Sequence, residues 1–259
     1  MPISDMDQYQ ANWWRYKLKV ESDRGPLVLE WRDLNELAKW SNIQAGLYIK
    51  GNESSLQTFF ELFPRWYQMW WDRRYGQGLF NLPDNAKIVD VGSGIAVQDL
   101  MLAKYFPKAT FTLVDKEGFE FRPGVYYEPD YPEYNSWAPV IDCIETSNID
   151  PKRFTLQGPD VEWPDEVDAV TSYLSWCWHY PKETYWQKVL DHLKIGGLFY
   201  ADVRLLEDRD IMKEISEDMK SEPISTIEFG DIPKHVDNMK SSNGERMVSG
   251  YSAVWRRCK

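Results

Sequence analysis

The stretch Lys87-Ile88-Val89-Asp90-Val91-Gly92-Ser93-Gly94-Ile95-Ala96-Val97-Gln98-Asp99-Leu100 constrains this chain more than any other. A short apolar, β-branched run breaks into Gly92 and Gly94, then resumes as a helical pattern through Leu100, Leu102 and Ala103. The pattern predicts a strand, a tight turn and a helix. Glycine at such a turn leaves no Cβ in the way, so backbone can approach a ligand closely while the first helical N–H groups point at it. Asp90 stands at the carboxyl end of the predicted strand. Its negative charge suits a ligand with a cation or hydroxyls better than one led by phosphates.

A dinucleotide-binding turn reads G-x-G-x-x-G/A, where the third small residue lets helix and strand pack closely. Val97 occupies that position here, so a nicotinamide-dependent oxidoreductase ranks last among the readings. Charge excludes another class. With 41 acidic against 30 basic residues, a net charge of −11 opposes a polyanion, and no duplex nucleic acid partner is expected.

Cys143, Cys177 and Cys258 are odd in number and show no C-x-x-C spacing, which points away from a disulfide framework or a zinc site and toward a reducing compartment. Met1 to Asp7 lacks a cationic-then-apolar signal, and no run approaches spanning length. A soluble, cytoplasmic protein with no membrane partner is expected. The 259 residues are enough for one large α/β domain with an extension.

Residues 1–80 read as a helical N-terminal extension. Leu27 to Trp31 is strand-like, Asp33 to Trp40 is helical, and Ser54 to Arg74 carries Leu56, Phe59, Phe60, Phe63, Tyr67, Trp70 and Trp71 on one broad face, interrupted at Pro64. Such an aromatic stripe is either core or part of a roof over a flat or sugar-like substrate. Residues 81–259 carry an alternating β/α pattern. Strands are predicted over Lys87 to Val91, Thr110 to Val114, Arg153 to Gln157, Val167 to Leu174 and Leu198 to Val203. Helices fall at Val97 to Tyr105, Pro139 to Ser147 and Pro181 to Leu193; Glu207 to Lys220 reads as an exposed, charged helix. Ile224 to Phe229 and Val248 to Trp255 close the chain as two strands. Glu117 to Trp137 is too long and aromatic for an ordinary connection and reads as a lid or acceptor wall, or as packing under the N-terminal helices.

Asp115 ends the second strand, 23 residues beyond Gly92 and near the ~20 expected of an acid that accepts from ribose hydroxyls. Ser175 to Pro181 follows the fourth strand, where ligands of open α/β sheets bind. It contains His179, and an imidazole near its ordinary pKa of ~6.5 can accept a hydroxyl proton at neutral pH. Asp202 and Arg204 leave the fifth strand toward the same side; they either bind an acceptor or pair with each other.

Asp90-x-Gly92-x-Gly94-x-Ala96 resembles the first motif of the class I S-adenosylmethionine-dependent methyltransferases, D/E-x-G-x-G-x-G, with Ala for the last Gly. Leu193-Lys194-Ile195-Gly196-Gly197 before an apolar strand resembles a late motif of that family, with Ile195 where Pro is usual. The resemblance covers roughly residues 80–258. It implies an α/β fold: a seven-stranded, mostly parallel sheet with helices on both faces and an antiparallel last strand.

It also implies S-adenosylmethionine as cofactor, held by Asp90, Gly92, Ser93, Gly94, Asp115 and Tyr173, with Asp160 facing the adenine amino group and Glu162 and Asp165 as rivals for that role. Family members that use a divalent metal hold it with acids after the fourth and fifth strands. No acid follows the fourth strand before Glu183, so no metal is expected. The N-P-P-Y and Pro-Cys signatures of nucleobase methylation are missing. The reading is therefore methyl transfer to a small-molecule hydroxyl, a sugar or related metabolite, with His179 as base and Asp202 and Arg204 beside it. A protein or RNA acceptor, or cofactor binding without turnover, are the alternatives, and oligomeric state is left open.

Overall fold

In the computed structural model, residues 19–22, 25–28, 81–94, 96–116, 118–120, 133–135, 137–173, 175–206, 208–229 and 250–259 are described. Two short strands, β1 (Lys19–Ser22) and β2 (Gly25–Val28), pair antiparallel. They lie within the extension read as mainly helical, β2 overlapping the strand-like stretch that begins at Leu27, and the predicted helices over 33–40 and 54–74 lie outside the described residues. The main domain then runs β3 (Lys87–Val91), α1 (Val97–Tyr105), β4 (Thr110–Val114), β5 (Gly118–Glu120), β6 (Glu133–Asn135), α2 (Trp137–Thr146) and β7 (Phe154–Gln157). It continues through β8 (Val167–Ser172), β9 (Ser175–Tyr180), α3 (Glu183–His192), β10 (Leu193–Arg204), α4 (Ile211–Met219), β11 (Ser225–Phe229) and β12 (Gly250–Arg256).

Seven of these strands form one sheet in the order β11-β12-β10-β8-β3-β4-β7. The pairs β3–β4, β3–β8, β4–β7 and β8–β10 are parallel, and β12 runs against both of its neighbours. The sequence explains the centre. β8 is buried along its whole length and β3 along all but its first residue, as expected of parallel strands covered on both faces.

Alternation then divides the core into two layers. Ile88, Phe111, Leu113, Ala169, Leu198 and Tyr200 pack with Leu100 and Phe106 from the α1 region and Val140 and Ile144 of α2. Val89, Val91, Val114, Val170, Phe199 and Ala201 face Trp186 and Val189 of α3 and Ile211 and Ile215 of α4. The expected helix-covered, mostly parallel sheet is therefore present.

Two polar side chains tie elements together. Asp168 accepts from Lys87 N–H at 2.8 Å and from Lys194 Nζ at 2.6 Å, joining β8 to β3 and to the start of β10. Arg153 donates to the carbonyls of Ala109 (2.8 Å), Ala103 (3.1 Å) and Phe106 (2.7 Å), closing the end of α1.

Three elements depart from the sequence reading. Ser175 to Tyr180, expected as an irregular segment, is extended as β9. β10 starts at Leu193 instead of Leu198, with a register shift between those residues where it runs beside β8. α4 is not simply a solvated face: Ile211, Ile215 and Met219 recur at four-residue spacing and are buried. Of the aromatic loop 117–137, the described parts are β5 and β6, which pair antiparallel, and the first residue of α2; the rest lies outside the described residues.

Candidate functional site

Strand order reverses about β3: the chain goes outward to β4 and β7 on one side and to β8 and β10 on the other. Ligands of open α/β sheets sit beyond the carboxyl ends of the strands at such a switch point. The Gly92–Gly94 turn follows β3, and Ser175 follows β8, so both stand there.

The turn is held by its neighbours. Gly92 N–H donates to Val114 O at 2.7 Å, and Gly94 N–H donates to Asp115 Oδ2 at 2.9 Å. Asp115 Oδ1 accepts from Lys116 N–H at 2.8 Å. The two strand ends and the turn are thus one hydrogen-bonded unit.

Gly92 has φ +75°, and a Cβ there would collide with the Ser175 side chain. Its bareness therefore serves a close approach by Ser175 within the protein, beside whatever the turn does for a ligand. Ala96 takes the position where the family motif has its last Gly, at φ 59°, ψ 28°, left-handed backbone that glycine adopts more easily.

Asp90 is buried and accepts from Thr171 Oγ1 at 2.6 Å. Burial pushes its carboxyl up to about 7; hydrogen bonds from Thr171 and Asp99 oppose that rise, while the charges of Asp115 and Asp202 add to it. Asp99, in the first turn of α1, is fully buried and is pushed well up, first by burial and then by Asp90. Ser172 Oγ donates to Val91 O at 2.9 Å and accepts from Trp176 N–H at 2.9 Å, which locks the ends of β3 and β8 to the start of β9.

The remaining sequence-predicted residues fall as follows. Tyr173 is partly buried, with its ring 4.7 Å from that of Tyr200. Asp160 is exposed in the turn after β7; of its two rivals, Glu162 accepts from His192 Nε2 at 2.7 Å and Asp165 is nearly fully exposed. Asp202 is fully buried in β10 and accepts from Tyr200 Oη at 3.1 Å and from Ser252 Oγ. Arg204, at the end of that strand, is half-buried. His179 lies in β9 by its backbone, and its side chain is outside what the structure describes.

Cys177 is buried at φ 63° with its thiol pushed far up by burial, the opposite of an activated nucleophile. Sequence reasoning missed Thr171, Ser175 and Asp99. Thr171 and Ser175 were visible only as hydroxyls at the edge of an apolar run, and Asp99 as an ordinary first-turn acid.

The donor set fits an adenosyl sulfonium. The turn carries no cationic side chain and its Gly92 and Gly94 amides are taken up within the protein, Asp115 stands at the neighbouring strand tip, Asp90 lies beneath, and Ser93 Oγ is buried with no hydrogen-bond partner in the described structure. The same set would repel phosphates.

The order of the strands, with β12 inserted antiparallel between β10 and β11, together with the acid-flanked turn, is the arrangement that the resemblance to the class I S-adenosylmethionine-dependent methyltransferases implied. No family model matches the chain. Over 117 residues it is 28% identical to an O-methyltransferase of Armillaria gallica, a match that takes in 45% of this chain and 22% of that protein. The chain thus matches about a fifth of the length of that curated relative.

Among solved structures, TYW2 of M. jannaschii in complex with AdoMet compares at a TM-score of 0.40 and 18% identity, over 70% of this chain and 74% of that one. Precorrin-6y C5,15-methyltransferase of Geobacter metallireducens compares at a TM-score of 0.41 and 14% identity, over 69% and 84%. Among the described residues no helix is long and apolar enough to cross a membrane, and no group of three or more His, Cys, Asp or Glu side chains is placed to hold a metal.

Proposed function

We propose that this protein transfers a methyl group from S-adenosylmethionine to a hydroxyl of a small molecule, a sugar or related metabolite. The observation that carries the reading is the hydrogen-bonded unit of the Gly92–Gly94 turn and Asp115, set above buried Asp90 at the sheet's switch point. Residues 81–259 form the cofactor domain, and residues 1–80 cap the acceptor side.

When bound, the cofactor supplies an electrophilic methyl on a positively charged sulfur. The chain's own work is to bind, orient and exclude water. Asp115 accepts from ribose hydroxyls, Asp160 from the adenine amino group, and Ser93, Gly92 and Gly94 line the cradle with Tyr173 beside it. Asp90 supplies negative charge from below. His179, from β9 beside the switch point, takes the acceptor's hydroxyl proton as the oxygen attacks. Arg204 orients the acceptor at the end of β10, and Asp202 fixes that strand end through Tyr200 and Ser252.

Titration calorimetry with S-adenosylhomocysteine, set beside NAD, tests the cofactor: binding of the first and none of the second is expected, and the reverse would overturn the reading. A screen of hydroxylated metabolites with labelled S-adenosylmethionine then tests the acceptor. His179→Ala is expected to lower kcat about 10²- to 10⁴-fold, the usual worth of a general base, with cofactor affinity kept. Cofactor binding with no methyl transfer by the wild type to any acceptor screened would leave a binding protein without turnover, and activity unchanged in His179→Ala, Asp202→Ala and Arg204→Ala together would take those residues out of the chemistry.

A further inference from the structure

Asp99 is a buried acid that the methyl-transfer reading does not use. Both of its carboxyl oxygens are shut off from solvent, and neither finds a hydrogen-bond donor in the described structure. An ionised carboxylate so placed costs several kcal/mol unless something compensates it. Its neighbour is Asp90, itself buried, with Thr171 Oγ1 donating to one of its oxygens.

The groups that bear on Asp90 from the surrounding elements are Thr171 of β8, Asp99 of α1, Asp115 beyond β4 and Asp202 of β10. The group that bears on Asp99 from another residue is Asp90. Among the described residues no cation stands with them. A proton is then the positive charge those residues leave to satisfy the pair.

We propose that Asp99 keeps a proton at neutral pH and donates it to Asp90, so that the two buried carboxyls share one proton and hold a single negative charge beneath the Gly92–Gly94 turn. Asp99 is thereby a positioning residue: it fixes the Asp90 carboxylate, with Thr171 on the other side, in the orientation from which Asp90 meets the cofactor. The shared proton stands on the burial of both carboxyls and on the unpartnered oxygens of Asp99, whereas the consequence for binding rests on the cofactor reading given above.

Burial drives both groups to hold protons more strongly than a free carboxylic acid, and the hydrogen bond from Asp99 works against that rise at Asp90. The split is the one seen wherever two carboxyls face each other: the pair gives up its first proton easily and its second only with difficulty.

Infrared difference spectra of the full chain, carrying ¹³C-carboxyl-labelled aspartate, test the proton directly. At pH 7 an exposed aspartate is fully ionised. At about pH 8.5, where Asp90 has ionised, a labelled protonated-carboxyl band is expected in the wild type, unchanged in Asp84→Asn, whose carboxyl is exposed, and lost in Asp99→Asn. No band in the wild type, or a band that survives Asp99→Asn, overturns the proposal.

Calorimetry with S-adenosylmethionine as a function of pH tests the positioning. Affinity should rise as Asp90 ionises, around pH 7. Asp99→Asn keeps a donor and should keep that profile. Asp99→Leu removes the donor, so Asp90 holds its proton to higher pH; affinity should fall about fivefold or more at pH 7 and return in alkali. A loss in Asp99→Leu that is equal at every pH marks a merely structural residue and overturns the positioning role. Absence of binding by the wild type at every pH, with the infrared band behaving as expected, overturns the cofactor reading alone and upholds the shared proton.

Discussion

Gly92 shows how one residue can satisfy two demands that sequence inspection conflates. Read from the chain, its missing side chain serves a ligand. In the fold, the space a Cβ would take is occupied by Ser175, and the backbone is also left-handed at φ +75°. Gly92→Ala therefore meets a steric clash and a backbone penalty of about 1–2 kcal/mol. The two are separable in a double-mutant cycle followed by urea unfolding. Gly92→Ala should destabilise by about 3 kcal/mol or more, and adding Ser175→Gly should recover the clash but not the backbone part. Strict additivity of the two substitutions would show that Ser175 is not the obstacle. The turn itself was legible because two glycines after a β-branched run allow little else. Thr171 and Ser175 were not, because a hydroxyl in an apolar strand gains meaning only when another strand brings an acid or a glycine beside it.

Elements were legible where local pattern and burial agree. β3, α1 and β4 have the bounds the sequence implies, since alternation, glycine and proline all mark the same ends. α4 was misread because its charges dominate the count while Ile211, Ile215 and Met219, four residues apart, do the packing. β9 escaped because Trp176 and its neighbours read as a binding loop. In the fold Trp176 is fully buried, edge-on to Tyr185 and Phe199, and its indole N–H donates to Pro181 O at 3.1 Å. Its size makes it a core residue of the α3 layer. Trp176→Ala should cost about 3–5 kcal/mol of stability, as large aromatic truncations do, in a chemical denaturation series; a loss within 1 kcal/mol would mean the segment is peripheral.

Arg153 was passed over as the first residue of a strand, yet it closes α1 against β4 through three backbone carbonyls. Arg153→Ala is expected to destabilise by about 2–3 kcal/mol, and Arg153→Lys to recover only part, because an ammonium cannot span the same acceptors as a planar guanidinium. A lysine variant as stable as the wild type would contradict this.

At the scale of the whole molecule, two sets of acids pull the pH dependence of stability in opposite directions. Glu183 and Glu214 are held below the ordinary glutamate range, first of all by hydrogen bonds from Arg209, which bridges the starts of α3 and α4. Groups of this kind stabilise above their unfolded pKa, and the contribution is lost as pH falls through the lowered folded value. Glu183 is largely exposed and Glu214 half-buried, so salt should weaken both, Glu183 the more. Asp90 is the reverse case. Its folded carboxyl is pushed up to about 7 by burial, so the native chain binds the proton more tightly than the unfolded one. That stability is complete below the ordinary carboxylate pKa of about 4 and drains away as pH climbs toward 7. Asp99, raised by the same burial, extends the loss to higher pH. The net charge of −11 works in the same direction through general repulsion, but that part is long-range and screened. Thermal melts between pH 4 and 9 should therefore peak on the acid side of neutrality and decline toward pH 8. Raising the salt to about 0.5 M should flatten the acid limb and the general repulsion while leaving a decline near neutrality, because the carboxyls responsible for it are buried beyond the reach of ions. A curve that is flat from pH 5 to 8 at high salt would mean that Asp90 titrates like an exposed acid, and that the strand end beneath the glycine turn is open to water.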